Sequence, residues 1–420
     1  MSKSFKINRN QFASMLSKVS KAAAKSAIEP LTELVQIEVH NNKLALSATD
    51  ARTTFVQRCA LDSEVDDFTV AIKIMLFERV VSRITTESLE FKLEGDILVM
   101  KGNGIYKFPV TMEESTIVKL PPINIINEGE DFKIQISVKE MKDIIAATCR
   151  FVAPASIRPQ FAGYWFGNEV IATETNVVCF YHKQVFPTPT YLLSSAVELL
   201  TLVDDETITV VKKGQRIQFR GATTLLDTRE HEQMDTFPAE DLCGHLQVEY
   251  PSKAVMNVKD FRGVIDRVML FVDPVKHNYG CIFSFEKDGL AVNDKAGCFH
   301  EKVMYQTVEG FQPFVCEMGA DSMQILLDLP DQETVDVYFG SEAVLKLDCP
   351  EYTRVAGTLV DEDDDLSEFL DNAADSSDVS VPSDFSETSQ SAADSESSSA
   401  AYSEPVAEAS VDPLMDVDWS

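Results

Sequence analysis

The sequence predicts an α+β protein of three tandem domains, each with two helices packed on antiparallel sheets. Three observations lead there. One strand–turn–strand phrase occurs three times at domain-sized intervals, an amphipathic helical pattern precedes each copy, and a second helical pattern followed by a hairpin comes after each.

The phrase reads "LALSATDARTTF" at Leu44–Phe55, "EVIATETNVVCF" at Glu169–Phe180 and "GLAVNDKAGCFH" at Gly289–His300. Its central pairs, Thr49-Asp50, Thr173-Glu174 and Asn293-Asp294, are 124 and 120 residues apart. A period of 20–50 residues would indicate a solenoid, whereas this spacing indicates whole domains. The short polar side chains of these pairs suit a turn between strands. A catalytic carboxylate would need a base or metal cluster beside it, and none recurs.

Upstream lie segments 7–21, 136–150 and 256–270. Phe12, Leu16 and Val19 fall on one helical face, as do Met141, Ile144, Ile145 and Thr148, and again Phe261, Val264, Ile265 and Val268. Downstream, helical patterns begin near Ile74, Ser194 and Asp321. Strands follow that turn at Glu94-Gly95-Asp96, Lys213-Gly214-Gln215 and Gly340-Ser341-Glu342. The order predicts domains at 1–125, 126–248 and 249–360.

Residues 361–420 differ from the rest. They hold 18 of the 68 acidic residues and no Lys or Arg, so the body carries 50 acidic against 37 basic groups. Such an acidic, Ser-rich tail lacks the apolar surface to offset chain entropy and is expected to be disordered. It closes on "VDPLMDVDWS", an apolar cluster that suits a docking peptide; the acidic stretch would alternatively mimic nucleic acid. Eight cysteines are scattered without a CxxC pair, as expected of reduced, buried thiols, and the six histidines are too dispersed for a metal site. No apolar run reaches membrane-spanning length and no signal peptide opens the chain, so cytoplasmic localisation is the expectation. No Walker loop, paired metal carboxylates or nucleophile–base set appears, so no enzymatic activity or cofactor is expected.

Over about residues 5–360 the chain resembles the bacterial-type replicative sliding clamps, the beta-subunit family of DNA polymerase III. The segments that carry the resemblance are "LTELVQIEVHNNKLALSATDARTTFVQR", "FAGYWFGNEVIATETNVVCF", "YGCIFSFEKDGLAVNDKAGCFHEKV" and "TFPAEDL". The resemblance implies a head-to-tail homodimer closed into a six-domain ring around double-stranded DNA. It also implies capture of a DNA polymerase, an ATP-dependent clamp loader and other proteins bearing clamp-binding motifs.

A sliding ring must attract phosphates without reading bases, which calls for cations on the helices. Lys18, Lys21 and Lys25 form one stripe, with Lys73, Arg79 and Arg83 on the second helix. Lys139, Lys142 and Arg150 form another, with Arg158 and Gln160 beyond, and Lys259, Arg262 and Arg267 a third. One such stripe reads as a solvated helix face; its recurrence in all three repeats points to a polyanion. The second helices of repeats two and three carry no Lys or Arg, a departure from the family pattern. By resemblance, the partner-peptide groove comprises Phe161, Thr173, Thr175, Val177, Val178, Pro238, Cys243, Val355 and Leu359. Thr175-Asn176-Val177-Val178 replaces the usual Gly-His-Arg-Leu there, and "RVAGTLV" replaces a Met-Pro-Met type ending. Ring closure would set Tyr106 and Phe108 against Leu270 and Phe271. For the apolar members of both sets, ordinary core packing is the competing role.

Overall fold

The computed structural model describes residues 3–24, 29–62, 64–272, 280–329, 332–341 and 344–357. Lys25, Leu359 and the tail from residue 361 lie outside the described residues.

Each repeat begins with a strand that runs straight into a helix, because a short polar residue sits at the junction. The strand Ser4–Asn8 ends on Asn8, whose Oδ1 accepts from the amides of Asn10 and Gln11 at 2.9 and 3.2 Å and starts α1, Arg9–Val19. In the first repeat α2 follows at Ile74–Val81. Ser137 caps α3, Val138–Thr148, and Asn257 later caps its counterpart in the same way. Such caps supply acceptors for otherwise unpaired N-terminal amides, each worth about 1 kcal/mol. In the second repeat α4, Ser194–Glu198, tightens into a 3₁₀ turn at Leu199–Leu202, and α5 follows at Ala239–Gly244. The third repeat holds α6, Val258–Val268, and α7, Ala320–Leu326. The second helix of repeat two is thus shorter than its sequence pattern, and α5 is an element the periodicity does not announce.

The helices bury their apolar faces on the sheets. In repeat one Phe12, Leu16 and Val19 are fully buried, and the Phe12 ring lies 5.8 Å from Phe77 and 4.7 Å from Phe91. Burial of one such side chain stabilises by about 1.5–3 kcal/mol.

The recurring phrase is a hairpin turn. Thr49 Oγ1 donates to the Thr53 carbonyl and accepts from the Ala51 amide; Thr173 Oγ1 donates to the Val177 carbonyl and accepts from the Thr175 amide. In the third copy Asp294 Oδ1 accepts from the Phe299 amide across a longer turn. These side chains hold the backbone, as the turn reading requires. Gly95 and Gly214 close the later hairpins at φ 64° and 56°, where a side chain would be strained.

The strands assemble across repeat boundaries. One eight-stranded sheet joins repeats one and two through Thr54–Ala60 and Thr224–Arg229, antiparallel, with Asp227 opposite Thr54. A nine-stranded sheet joins repeats two and three through Val177–Tyr181 and Tyr352–Gly357, with Val355 opposite Val178. Two four-stranded sheets remain, one within repeat one and one within repeat three. The first has Ile105–Pro109 as an edge strand; the second has His300–Met304.

Arg354 pins the second joint. It is 1% exposed, and its two terminal nitrogens donate to the carbonyls of Leu326 and Asp328 at 3.0 and 2.7 Å and of Ala147 at 2.9 Å. Its guanidinium lies 4.8 Å from the ring centroids of both Phe151 and Tyr352. One side chain thus satisfies carbonyls at the ends of α3 and α7, which belong to different repeats.

Candidate nucleic-acid interface

The basic side chains on the helices divide into two groups. Lys21, Arg79, Arg83, Lys139, Arg158 and Lys259 are exposed and have no carboxylate within ion-pair distance among the described residues. The others are engaged by the protein itself. Lys18 pairs with Asp204 across the first joint, and Lys142 donates to the Val203 carbonyl at 2.8 Å. Arg150 and Arg262 share Asp328 at 3.7 and 2.6 Å, and Arg267 clasps Glu301 with Nε at 2.8 Å. Lys73 lies 3.7 Å from Glu33. Gln160 is half-buried, and its carbonyl accepts from the Tyr191 hydroxyl at 2.7 Å. The uniform stripes read from spacing are therefore corrected: Lys18, Lys73, Lys142, Arg150, Arg262 and Arg267 are partly committed to structural contacts. The carboxylates that hold Lys18, Arg262 and Arg267, namely Asp204, Asp328 and Glu301, come from elements distant in sequence. Asp204 and Asp328 follow the second helices of repeats two and three, the ones that lack basic residues. Exposed pairs of this kind contribute little and are screened by salt, so the arginines stay available to a denser anion.

The expected groove residues do not all meet. Phe161, Val178, Cys243 and Val355 pack in one apolar cluster with Ile171, Phe180, Tyr191 and Phe237. Val177 points the other way, into the main core, and Thr173 is buried with its hydroxyl consumed by the turn. Both are corrected as groove-lining side chains: strand alternation places Val177 and Val178 on opposite faces. Pro238 borders a cleft of about 350 Å³ lined also by Trp165, Met234, Asp235, Phe237, Ala239, Glu240 and Asp241. Trp165 stacks on Phe237 with centroids 5.4 Å apart and planes 7° apart. Phe237, Trp165 and Tyr191, which spacing alone does not single out, form the aromatic floor. The lip is acidic. Burial pushes the Cys243 thiol above its ordinary value, and burial holds His231, stacked on Tyr191, below its own.

Thr175 occupies the same turn position as Ala51, at φ 101° against 75°, and its buried hydroxyl has no hydrogen-bond partner among the described residues. A β-branched residue in this region is strained. Thr175→Gly is expected to raise stability by about 1 kcal/mol in chemical denaturation, after allowing for glycine's greater chain entropy. Ala51→Gly, lacking the branch, should gain less. Beside this turn, burial pushes the Glu174 carboxyl above the usual range; Asp321 adds to the shift and Arg158 opposes it.

At the chain ends, Tyr106 is half-buried, whereas Phe108 is 5% exposed and packs edge-on against Phe77 at 4.9 Å. Phe108 is therefore corrected to a core residue of repeat one. Leu270 and Phe271 are 82% and 51% exposed, and Ile105, not singled out by resemblance, is 66% exposed. Among the described residues no group of three or more His, Cys, Asp or Glu side chains is placed to hold a metal, and no helix is long and apolar enough to cross a membrane.

The geometry has known counterparts. The family model described as DNA polymerase III beta subunit, N-terminal domain, matches residues 3–117. A comparison with curated protein sequences finds no match. Among solved structures, the DNA polymerase III beta subunit of Thermotoga maritima is 16% identical with a TM-score of 0.75, covering 85% of this chain and 99% of its own. The Borrelia burgdorferi subunit, solved in complex with a natural product, is 15% identical with a TM-score of 0.76 over 85% of this chain and 99% of that one. The beta subunit of Streptococcus pyogenes DNA polymerase is 17% identical with a TM-score of 0.74, over 85% of this chain and all of that one. Residues 3–117 thus match the model of the DNA polymerase III beta subunit's N-terminal domain, and over the 85% of the chain that these structures cover the protein has the fold of the sliding clamps.

Proposed function

We propose that the protein is a DNA sliding clamp, a processivity factor that works by encircling duplex DNA as a head-to-tail homodimer and has no enzymatic activity. The observation that carries this reading is the way the repeats join. In both joints, the last strand of one repeat's final hairpin meets the second strand of the preceding repeat's recurring phrase. The counterparts of these two strands are edge strands in the outer repeats, Ile105–Pro109 in repeat one and His300–Met304 in repeat three. An unpaired strand edge is a template for another chain, and a head-to-tail contact that closes generates a ring.

The hairpin registers define how the ends would meet. Thr54, Val178 and His300 are counterparts, each opposite the turn residue Thr49, Thr173 or Asn293. Asp227, Val355 and Lys107 are counterparts, each two residues before the strand position that pairs with Arg216, Val344 or Ile97. Since Asp227 faces Thr54 and Val355 faces Val178, Lys107 would face the partner's His300. Tyr106 would then face the partner's Glu301, and Ile105 the partner's Lys302. The exposed Leu270 and Phe271 lie beside this seam, since Phe271 packs 5.3 Å from Phe299, which adjoins His300.

In the closed ring the six uncommitted cations serve as backbone contacts to DNA, with Lys18, Lys25, Lys73, Lys142, Arg150, Arg262 and Arg267 as secondary ones. The cluster around Val178, Val355, Phe161 and Phe237 receives an apolar peptide segment of a polymerase, a loader ATPase or another client. The acidic lip of Asp235, Glu240 and Asp241 favours clients with basic flanks.

The test is retention on nicked circular DNA at high salt and loss on linearisation, because a topological link survives salt that removes phosphate contacts. Equal retention on circular and linear DNA would instead make the protein a conventional binder or scaffold. Arg79→Ala combined with Arg83→Ala is expected to reduce the slope of log affinity against log salt by about 2, measured on linear duplex, with no change in sequence preference.

A further inference from the structure

On the sheet face of repeat one away from its helices lies a cavity of about 630 Å³, roofed by the segment that leads into repeat two. Its volume falls within the range of small-molecule sites, about 300–1,000 Å³. Apart from Lys119 the roof is apolar, from Ile117 and Leu120 through Pro121 and Pro122 to Ile123, and the floor combines polar side chains with Val39 and Phe68. Gln36 anchors one side by accepting from the Leu120 amide at 2.9 Å.

The floor holds one carboxylate with little support from the protein's own side chains. Glu38 is half-buried, and among the described residues its carboxylate receives one long hydrogen bond, from Gln36 Nε2 at 3.4 Å. No cation lies within ion-pair distance of it among the described residues: His40 at the cavity's end is paired with Asp67, and the exposed Lys119 acts on Glu38 only at longer range. Burial pushes the Glu38 carboxyl above the ordinary range, and Asp67 pushes it further, against the opposing pull of His40, Gln36 and Lys119. A desolvated carboxylate with one poor partner costs stability unless something completes its coordination.

We propose that this cavity is a binding site for an organic cation, a protonated amine or guanidinium on an apolar stem. The charged head would bond to Glu38, and the stem would lie against Leu120, Pro121 and Ile123. Such a ligand would bridge the sheet of repeat one to the segment entering repeat two. The same chemistry can arrive as a free amine or as a lysine side chain of a peptide. The site is independent of ring closure and DNA binding.

The experiment titrates full-length protein with 2-phenylethylamine, its neutral isostere 2-phenylethanol and the peptide N-acetyl-Phe-Lys-amide, using saturation-transfer NMR. The amine is expected to bind at least tenfold more tightly than the alcohol, and Glu38→Gln to remove that preference. Binding of the peptide but not the free amine, with the same dependence on Glu38, would support the site and assign its ligand to a protein partner. Equal binding of amine and alcohol, or an amine preference that survives Glu38→Gln, would overturn the proposal. Without ligand, Glu38→Gln is expected to melt at or above the wild-type temperature; a fall of several degrees would show that the carboxylate is structural and would also overturn it.

Discussion

Replacing Arg354 with methionine is expected to destabilise the protein by about 3 kcal/mol or more. Methionine fills similar volume but leaves the carbonyls of Ala147, Leu326 and Asp328 without the donors that Arg354 provides. Each buried group left unsatisfied costs about 1–3 kcal/mol. Lysine keeps the charge but cannot span three acceptors from two helices with a planar fork, so Arg354→Lys should recover only part of the loss. Chemical denaturation measures the total. Hydrogen exchange locates it: protection should fall first in the paired strands Val177–Tyr181 and Tyr352–Gly357, because this joint is what Arg354 holds. Uniform loss across all repeats would contradict that role.

Cysteines at Lys107 and His300 are expected to cross-link two chains into one covalent ring. Directly opposed residues in an antiparallel pair have Cα atoms about 4.5–5.5 Å apart, within disulfide reach. Oxidation of Lys107→Cys/His300→Cys should give covalent dimers on a non-reducing gel, while either single substitution should not. Ring opening would then require reduction: rings cross-linked beforehand should fail to enter circular DNA, and rings cross-linked after loading should fail to leave it. Cross-linking through Met304→Cys in place of His300→Cys would shift the register by four residues, and dimers through neither would refute the seam. The prediction depends on the two internal joints, whose register agrees to the residue.

The three repeats were legible in the sequence because hydrophobic periodicity and turn chemistry are local. The faces Phe12/Leu16/Val19 and Phe261/Val264/Ile265/Val268 are buried as their spacing requires. Thr49 and Thr173 hold turns as their side chains allow. The site was less legible. Helical spacing aligned Arg262 and Arg267 with the other cations, but it carries no information on Asp328 and Glu301, which reach them from 66 and 34 residues away. Tyr106 and Phe108 share one face of a strand by alternation. Only the packing of Phe77 against it shows that Phe108 belongs to the core while Ile105 and Lys107 face outward.

From its sequence alone, this protein could be read as three copies of an α+β unit with recurring basic helices, since each copy repeats the same short-range pattern of apolar spacing, polar turns and charge. Tertiary structure decided which helix cations pair with the protein's own carboxylates, which valine of the pair 177–178 joins the cluster around Phe237, and which strands of repeats one and three stand at the edge of a sheet. Those outcomes depend on contacts between residues far apart in the chain, and a contact becomes defined only when folding brings both partners together.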